Sequence, residues 1–447
     1  MNETIAAIAT PPGEGGIAVI RISGPDAIAI ADRVFSGSIA EYKSHTVHFG
    51  KILDGNEVVD EVLLIVMQNP RSFTGEDTVE IQCHGGSLIT RRVLDVVLKT
   101  GAKAAGPGEF TRQAFCNGKL DLAQAEAVQS FIGAKNELSL QAASQQLSGN
   151  LSTHIRSFQQ ELIDIAAILE AWVDFPEEGL EFASKEEVIA SLEKTCKKMQ
   201  SLENTFHEGK KIHDGLKLCL IGCPNVGKSS LMNALLGHDR AIVTPIPGTT
   251  RDALEAEIRL CGLHFQITDT AGIRSTEELI EKEGIRRSKR AMQEADLIFL
   301  LIDVSCPLTE EDEALLTSTP KEKTLVIWNK IDLPHTIPLI ESLPHVPLSA
   351  KTGVGLPALK NKIEEMIWKG NIPSKDEIVL TNIRHKEALS HAIQDLQTLI
   401  NGLKTDISPE FLSADMRSCL GYLGQIIGLD ISEDILSAIF AKFCVGK

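Results

Sequence analysis

The 447-residue sequence predicts a multidomain protein: an α+β N-terminal domain, an α-helical central domain, and an α/β domain with a phosphate loop inserted among the helices. Three observations predict it. The length suits two to four domains of roughly 100–200 residues each. The residue pattern turns from short β-like runs to helical periodicity near residue 119. Helical patterning then stands on both sides of a stretch, about 215 to 370, in which strands and helices alternate.

From residue 1 to about 118, "GIAVIRI", "EVLLIVM" and "DTVEIQC" read as strands between turn residues, and one helical stretch, "SLITRRVLDVVLK", interrupts them. That is the pattern of an α+β domain. From about 119 to 209, "LDLAQAEAVQSFIGAKNELSLQAASQQL" and "SFQQELIDIAAILEAWV" space apolar residues three and four apart with few glycines, as helices require. Over 215–370 the βα order implies a mostly parallel sheet. Helices return in "RHKEALSHAIQDLQTLINGL" and "SEDILSAIFAKF". "GLKLCLIG" and "GNIPSKDEIV" look like paired inbound and outbound linkers. Residues 119–209 and 376–447 are therefore expected to form one helical domain that carries 215–370 as an insertion; two independent bundles are the alternative.

The net charge of −17 argues against a dedicated nucleic-acid coat protein, which would carry a basic stripe, though it leaves room for a local basic patch. Nine cysteines lie scattered with no repeated C-x-x-C spacing, so neither a zinc site nor a disulfide framework is indicated, and reduced cytosolic thiols fit better. "MNETIAAIAT" has no basic region, apolar core and cleavage site of a signal peptide. The longest apolar run, "ADLIFLLIDV", is too short to span a bilayer and reads as a buried strand. A soluble, cytoplasmic protein without membrane attachment is expected.

"GCPNVGKSS" follows the apolar strand "LKLCLI" and opens the helix "SLMNALLG", the setting that a G-x-x-x-x-G-K-S phosphate loop requires. Gly222 and Gly227 permit a tight turn that aims backbone N–H groups at a β-phosphate. Lys228 adds a charge on the β- and γ-phosphates, and the Ser229 hydroxyl can ligate Mg²⁺. Asp332 in "NKID" is an acceptor-only carboxylate, matched to the N1–H and 2-amino donors of guanine and left unpaired by adenine. Asn329 and Lys330 would brace that loop and flank the ring. In "DTAG", Asp269 can hold the Mg²⁺ shell and the Gly272 amide can meet the γ-phosphate; "SAK" (Ser349, Ala350, Lys351) offers backbone contacts to the base. These motifs, in this order on a βα frame, resemble the GTPase superfamily. On that resemblance the nucleotide set also takes in Asn225, Val226, Ser230, Thr270 and Ala271, with Thr244, Thr249 and Thr250 from the switch "TPIPGTTRD"; Thr250 would supply the second protein oxygen to Mg²⁺.

The residue after "DTAG" is Ile273, which cannot orient a water as the glutamine of Ras-like proteins does. Of Glu277, Glu278, Glu281 and Glu283, most must be a solvated acidic helix start, and one can be the positioning group. Arg274 is the nearest candidate for a positive finger. A cation can take that place, with the amide oxygen of Asn225 as a ligand.

Together with "ATPPGEGGIAVIRISG", "FTGEDTVEIQCHGG", "NGKLDLAQAEA" and the final "FCVGK", these motifs closely resemble the MnmE (TrmE) family of tRNA modification GTPases over essentially the full length. The resemblance implies a homodimer whose GTPase domains meet when GTP and potassium bind. It implies a flavin- and NADH-dependent partner, MnmG (GidA), in a heterotetramer with FAD and NADH on the partner. The product would be a carboxymethylaminomethyl-type group, or the aminomethyl form, on C5 of the wobble uridine of certain tRNAs. The one-carbon unit would come from a 5-formyl- or 5,10-methylene-tetrahydrofolate bound by the N-terminal domain. By the same resemblance, potassium contacts fall on Asn225, Thr244, Ile246 and Thr249, and Mg²⁺ contacts on Ser229 and Thr250. The water-orienting glutamate is Glu281, and folate contacts fall on Arg21, Glu80, Lys119 and Lys447. Three cations suit a folate glutamate tail, and Glu80 can pair with pterin donors.

Cys444 stands fourth from the end, where a prenylated cysteine would be, but Gly446 is not aliphatic, the last residue is Lys447 and no polybasic run precedes it. The tail is expected to sit in the folate pocket with Cys444 facing it, rather than to fray. Two other functions fit less well. A GTPase switch for ribosome or RNA assembly would usually carry a basic appendage, and an aminomethyltransferase of one-carbon metabolism would leave the guanine site without a purpose.

Overall fold

The computed structural model describes residues 3–174, 184–238, 256–269, 290–336, 343–368, 377–429 and 431–446. The chain divides into two compact units, one of Met1–Ile132, Ser144–Met199 and Glu387–Lys447, the other of Gly133–Ala143 and Gln200–Lys386.

The first unit opens with β1 (Ile5–Ile8), β2 (Ile17–Ser23), α1 (Ala27–Val34), β3 (Thr46–Asp54), β4 (Glu57–Met67), β5 (Thr78–His84), α2 (Ser87–Lys99), β6 (Lys103–Ala104) and α3 (Glu109–Cys116). The strands form one sheet in the order β3-β4-β5-β2-β1-β6, antiparallel except for the β1–β6 pair. Side chains alternate across a strand, so Ile20 and Ile22 of β2 and Val79 and Ile81 of β5 face the core beneath α1 and α2. Arg21 and Glu80, register partners on the same two strands, emerge together on the other face. Three helices are present where the sequence pattern suggested one. "AIAIADRV" alternates like a strand, yet its buried positions are Ala27, Ile30, Ala31 and Val34, a helical spacing that alanine favours.

Next come α4 (Leu122–Gly133), α5 (Glu137–Leu147), α6 (Asn150–Asp174), α7 (Lys185–Asn204) and α8 (Phe206–Asp214). The helical texture over 120–147 is broken between α4 and α5, where the Asn136 side chain accepts from the Ser139 amide and starts a new helix. Within the first unit, α6 buries Leu151, Ile155, Phe158, Leu162, Ile165 and Leu169, a strict alternation of four- and three-residue steps. That spacing keeps one apolar stripe along the whole helix facing its neighbours.

The second unit carries β7 (Leu216–Ile221), α9 (Lys228–His238), β8 (Ala256–Leu260), β9 (Leu263–Asp269), β10 (Leu297–Asp303), α10 (Glu310–Ser318), β11 (Thr324–Asn329), β12 (His345–Pro347) and α11 (Leu356–Trp368). Its sheet runs β12-β11-β10-β7-β9-β8, parallel but for β8. All of β11 and nearly all of β10 are buried, as expected of strands covered on both faces. The strand order reverses at β7, and the crevice outside the carboxyl ends of such strands is where α/β sheets bind ligands. Residues from the two ends of this unit lie side by side: Thr205 Oγ1 accepts from the Leu380 amide at 3.0 Å, and Lys386 Nζ stands 3.8 Å from Glu203. A side chain at Gly209 would come within 2.0 Å of the Leu380 carbonyl oxygen.

The chain closes with α12 (Ile383–Lys404), α13 (Pro409–Ile427) and α14 (Glu433–Phe440). α13 carries its own buried seam, Leu412, Met416, Cys419, Leu423 and Ile426, and Gln159 of α6 donates to the Leu420 carbonyl at 3.5 Å. Beyond α14, Phe443 is buried against Phe440 and Leu122, the Gly108 amide donates to the Cys444 carbonyl, and Val445 bridges to Pro107. No helix among the described residues is long and apolar enough to cross a membrane.

Candidate functional site

β7 delivers the phosphate loop to the carboxyl edge of the sheet, and α9 starts at Lys228. Gly227 has φ 104° and a Cβ there would stand 2.2 Å from Asn329 Nδ2, so only glycine fits. Asn225 is also left-handed, at φ 62°, and its side chain is exposed. The Lys228 ammonium lies within its own loop, donating to the Gly222 and Cys223 carbonyls at 2.6 and 2.9 Å. Ser229 and Ser230 are exposed in the first turn of α9, whose free N–H groups favour an anion.

β11 delivers "NKID" to the same edge. Asn329 is 2% exposed and joins two loops: its Nδ2 donates to the Val226 carbonyl at 2.7 Å, and its Oδ1 accepts from the Ala350 amide at 2.9 Å. Lys330, at φ 68°, donates to Asp303. Asp332 is exposed, and the hydroxyl of buried Ser349 holds its carboxyl below the ordinary range, with Lys351 and Lys330 adding to the effect. A cleft of about 510 Å³ opens between α9 and the 350–353 loop, lined by Ser230, Asn233, Ala350, Lys351 and Thr352. Asp269 ends β9 beside Leu220 of β7. The structure thus brings Asn225, Val226, Gly227, Lys228, Ser229, Ser230, Asn329, Lys330, Asp332, Ser349, Ala350 and Lys351 to one sheet edge. Thr244, Ile246, Thr249, Thr250, Thr270, Ala271, Gly272, Ile273, Arg274, Glu277, Glu278, Glu281, Glu283 and Lys447 lie outside the described residues.

A second group gathers in the first unit. Arg21 Nη2 stands 2.8 Å from Glu80 Oε1, with the guanidinium carbon 5.9 Å from the Phe73 ring centre and 5.7 Å from that of Phe110. Glu80 is thus engaged by Arg21 here. Lys119 Nζ donates to the Pro70 carbonyl at 3.2 Å, and Asn117 Nδ2 to that of Thr74 at 2.8 Å, so the 70–76 loop joins Lys119 to Phe73. The tail is seated on β1 and the 107–108 turn. Gly446 has φ 92° with no room for a Cβ beside the Ile8 carbonyl, and Ile8 is one register step from Arg21's partner Ala7. The Cys444 side chain is exposed.

Some contributors were missed by sequence reasoning. Phe73 and Phe110 face Arg21 from a loop and a helix that no local pattern links. Cys223 lies 3.6 Å from Thr309 Oγ1, whose side chain caps α10 in a reciprocal box with Asp312. Burial, with Asp312 nearby, pushes its thiol up to about 11. Asp303, the last residue of β10, lies within the run read only as an apolar strand.

The family described as "MnmE helical domain" matches residues 122–444, and that described as "GTP-binding protein TrmE N-terminus" matches residues 4–119. A "tRNA modification GTPase MnmE" of Protochlamydia amoebophila is 61% identical over all of this chain and 98% of its own length. The chain belongs to the MnmE (TrmE) family. MnmE proteins of Clostridioides difficile and Geobacter sulfurreducens are 41% and 42% identical, each over 100% of both chains. Among solved structures, the G domain of the T. maritima FeoB iron transporter is 33% identical over 34% of this chain and 98% of its own, with a TM-score of 0.27, too low to bear on the fold. Both motif groups lie inside the matched family regions, apart from the terminal Val445, Gly446 and Lys447.

Proposed function

We propose that this MnmE-family chain hydrolyses GTP in the cytoplasm and, with an FAD- and NADH-dependent MnmG (GidA) partner, adds a carboxymethylaminomethyl-type group to C5 of the wobble uridine of certain tRNAs. The observation that supports this most is the full-length likeness to proteins named tRNA modification GTPase. Asp332 reads the two guanine donors, Asn329 holds the phosphate and base loops together, and Lys228 and the α9 N-terminus neutralise phosphate charge. Exposed oxygens at Ser229 and Asn225 fit cation ligands: Mg²⁺ with Thr250, potassium with Thr244, Ile246 and Thr249. These ions supply positive charge to the phosphates when bound. Glu281 orients the water, and Arg274 is the nearest arginine. Glu281→Ala is expected to lower single-turnover hydrolysis by about 10²–10⁴-fold with GTP affinity nearly unchanged; a wild-type rate would assign the role elsewhere.

The tetrahydrofolate derivative is assigned to Arg21, Glu80, Lys119 and Lys447, with Cys444 at the tail. The largely buried ion pair, with its guanidinium near two aromatic rings, fits a ligand with a flat ring and a carboxylate tail. When bound, the folate supplies the one-carbon unit. Residues 1–118 are proposed as the folate-binding and dimerisation domain of a homodimer, 119–209 with 376–447 as the helical domain, and 215–370 as the insertion. In support, the helical match runs across the insertion from 122 to 444. The deciding experiment is mass analysis of the wobble uridine in cells lacking this protein. Loss of the modification, restored by the wild-type gene, is expected. An intact modification would sink the proposal and favour a switch in ribosome or RNA assembly.

A further inference from the structure

The guanine-side lysine has a partner outside the motif that contains it. In the parallel β10–β11 pair, Asp303 is the register partner of Asn329, so β10 presents a carboxylate to the sheet edge beside "NKID". Lys330 Nζ donates to Asp303 Oδ2 at 2.5 Å. The other carboxylate oxygen, Oδ1, accepts from Ser305 twice, from its backbone N at 2.9 Å and its Oγ at 2.6 Å. The Asp303 side chain is 14% exposed and that of Lys330 31%. Burial would raise the Asp303 carboxyl; the hydrogen bonds from Lys330 and Ser305 outweigh it and leave the group below its ordinary range. Lys330 itself holds a left-handed backbone that an ordinary residue rarely adopts.

We propose that Asp303 is the positioning residue for Lys330: it anchors the ammonium, fixes the aliphatic stem beside the base pocket, and so sets the affinity for guanine nucleotides. This rests on the reading that Lys330 flanks the guanine ring. An unanchored lysine stem samples many rotamers, and the nucleotide would have to immobilise it on binding; an anchored one is ordered in advance. The effect belongs to binding, because the anchor acts on the base side and not on the transferring phosphate.

The test measures GTP and GDP dissociation constants by calorimetry, and turnover at saturating GTP, in the full chain with Mg²⁺ and potassium. Asp303→Asn is expected to weaken both nucleotides by roughly 3- to 10-fold with turnover at saturation unchanged. Lys330→Met is expected to weaken them at least as much, and Asp303→Asn added to it should cost nothing further. Should Asp303→Asn fail to fold, Asp303→Glu, which keeps the charge but displaces it, is expected to shift affinity in the same direction and to be silent in the Lys330→Met background. Unchanged affinity in the Asp303 variant would overturn the proposal. So would an equal loss in the Lys330→Met background, which marks a structural role, or a fall in turnover alone. If Lys330→Met itself leaves affinity intact, the base-flanking reading fails and this proposal with it. If only the Asp303 variants are silent, that reading stands and the anchoring falls.

Discussion

Asp332 stands exposed at the end of the "NKID" loop with the Ser349 hydroxyl donating to it, so the carboxylate is poised as an acceptor at ordinary pH. Asp332→Asn turns one acceptor into a donor facing the guanine donors. GTP affinity is expected to fall roughly 30- to 1000-fold, about 2–4 kcal/mol, with xanthine nucleotide then preferred. Calorimetry with both nucleotides checks this, and unchanged GTP affinity removes the assignment. The cysteines give a second residue-scale outcome. Burial raises the thiols of Cys83 and Cys223 to about 11 and of Cys419 to about 12, whereas Cys116, Cys306 and Cys444 are exposed. At pH 8 iodoacetamide should label the exposed three first, as peptide mass analysis would read. The raised thiols stay neutral in the fold while unfolded thiols ionise near 9.0, so their contribution to stability is intact below that pH and is lost as pH rises toward 11. Asp332 was legible because its chemistry is local to a four-residue motif. Asp303 was not, because a parallel register brings it to Lys330 and a run of apolar letters does not declare its register.

Among the elements, the segment from Phe443 to Gly446 bears most on the N-terminal group. It is seated by one buried ring, an isolated bridge and a glycine whose φ of 92° and proximity to the Ile8 carbonyl oxygen, 2.3 Å from a would-be Cβ, exclude a side chain. Gly446→Ala should therefore unseat the tail. If the tail completes the folate site, 5-formyltetrahydrofolate affinity falls tenfold or more while GTP affinity holds, since left-handed strain costs about 1–3 kcal/mol. Equal folate binding by the variant would detach the tail from that site. The tail's docking was expected from the family resemblance, but its seat on β1 and the 107–108 turn was not, because those partners are more than 300 residues away in sequence. Element type was most legible where periodicity was long, as in α2 and α6, and least where alanine and isoleucine alternate, as in α1.

At the scale of the molecule, potassium dependence tests the proposed cation site. In the proposed reading a fixed cation offsets developing charge as an arginine finger does, an effect of about 10³–10⁵ for the arginine. Turnover in potassium is expected to exceed that in sodium at equal ionic strength, and equal rates would exclude the cation. Chain texture marked helical flanks on both sides of 215–370, whereas the compact units are bounded differently, with 133–143 and 200–386 together in the second. What texture did not reveal is that Thr205 and Glu203 meet Leu380 and Lys386. A folded second unit therefore works on the rest of the chain as a cross-link does, tying together two points that an open coil would hold far apart. Closing a loop of about 180 residues costs an unstructured polymer roughly 4–5 kcal/mol of entropy. The flanking segments of the first unit, which must find each other across that gap, are spared this cost for as long as the second unit stays folded.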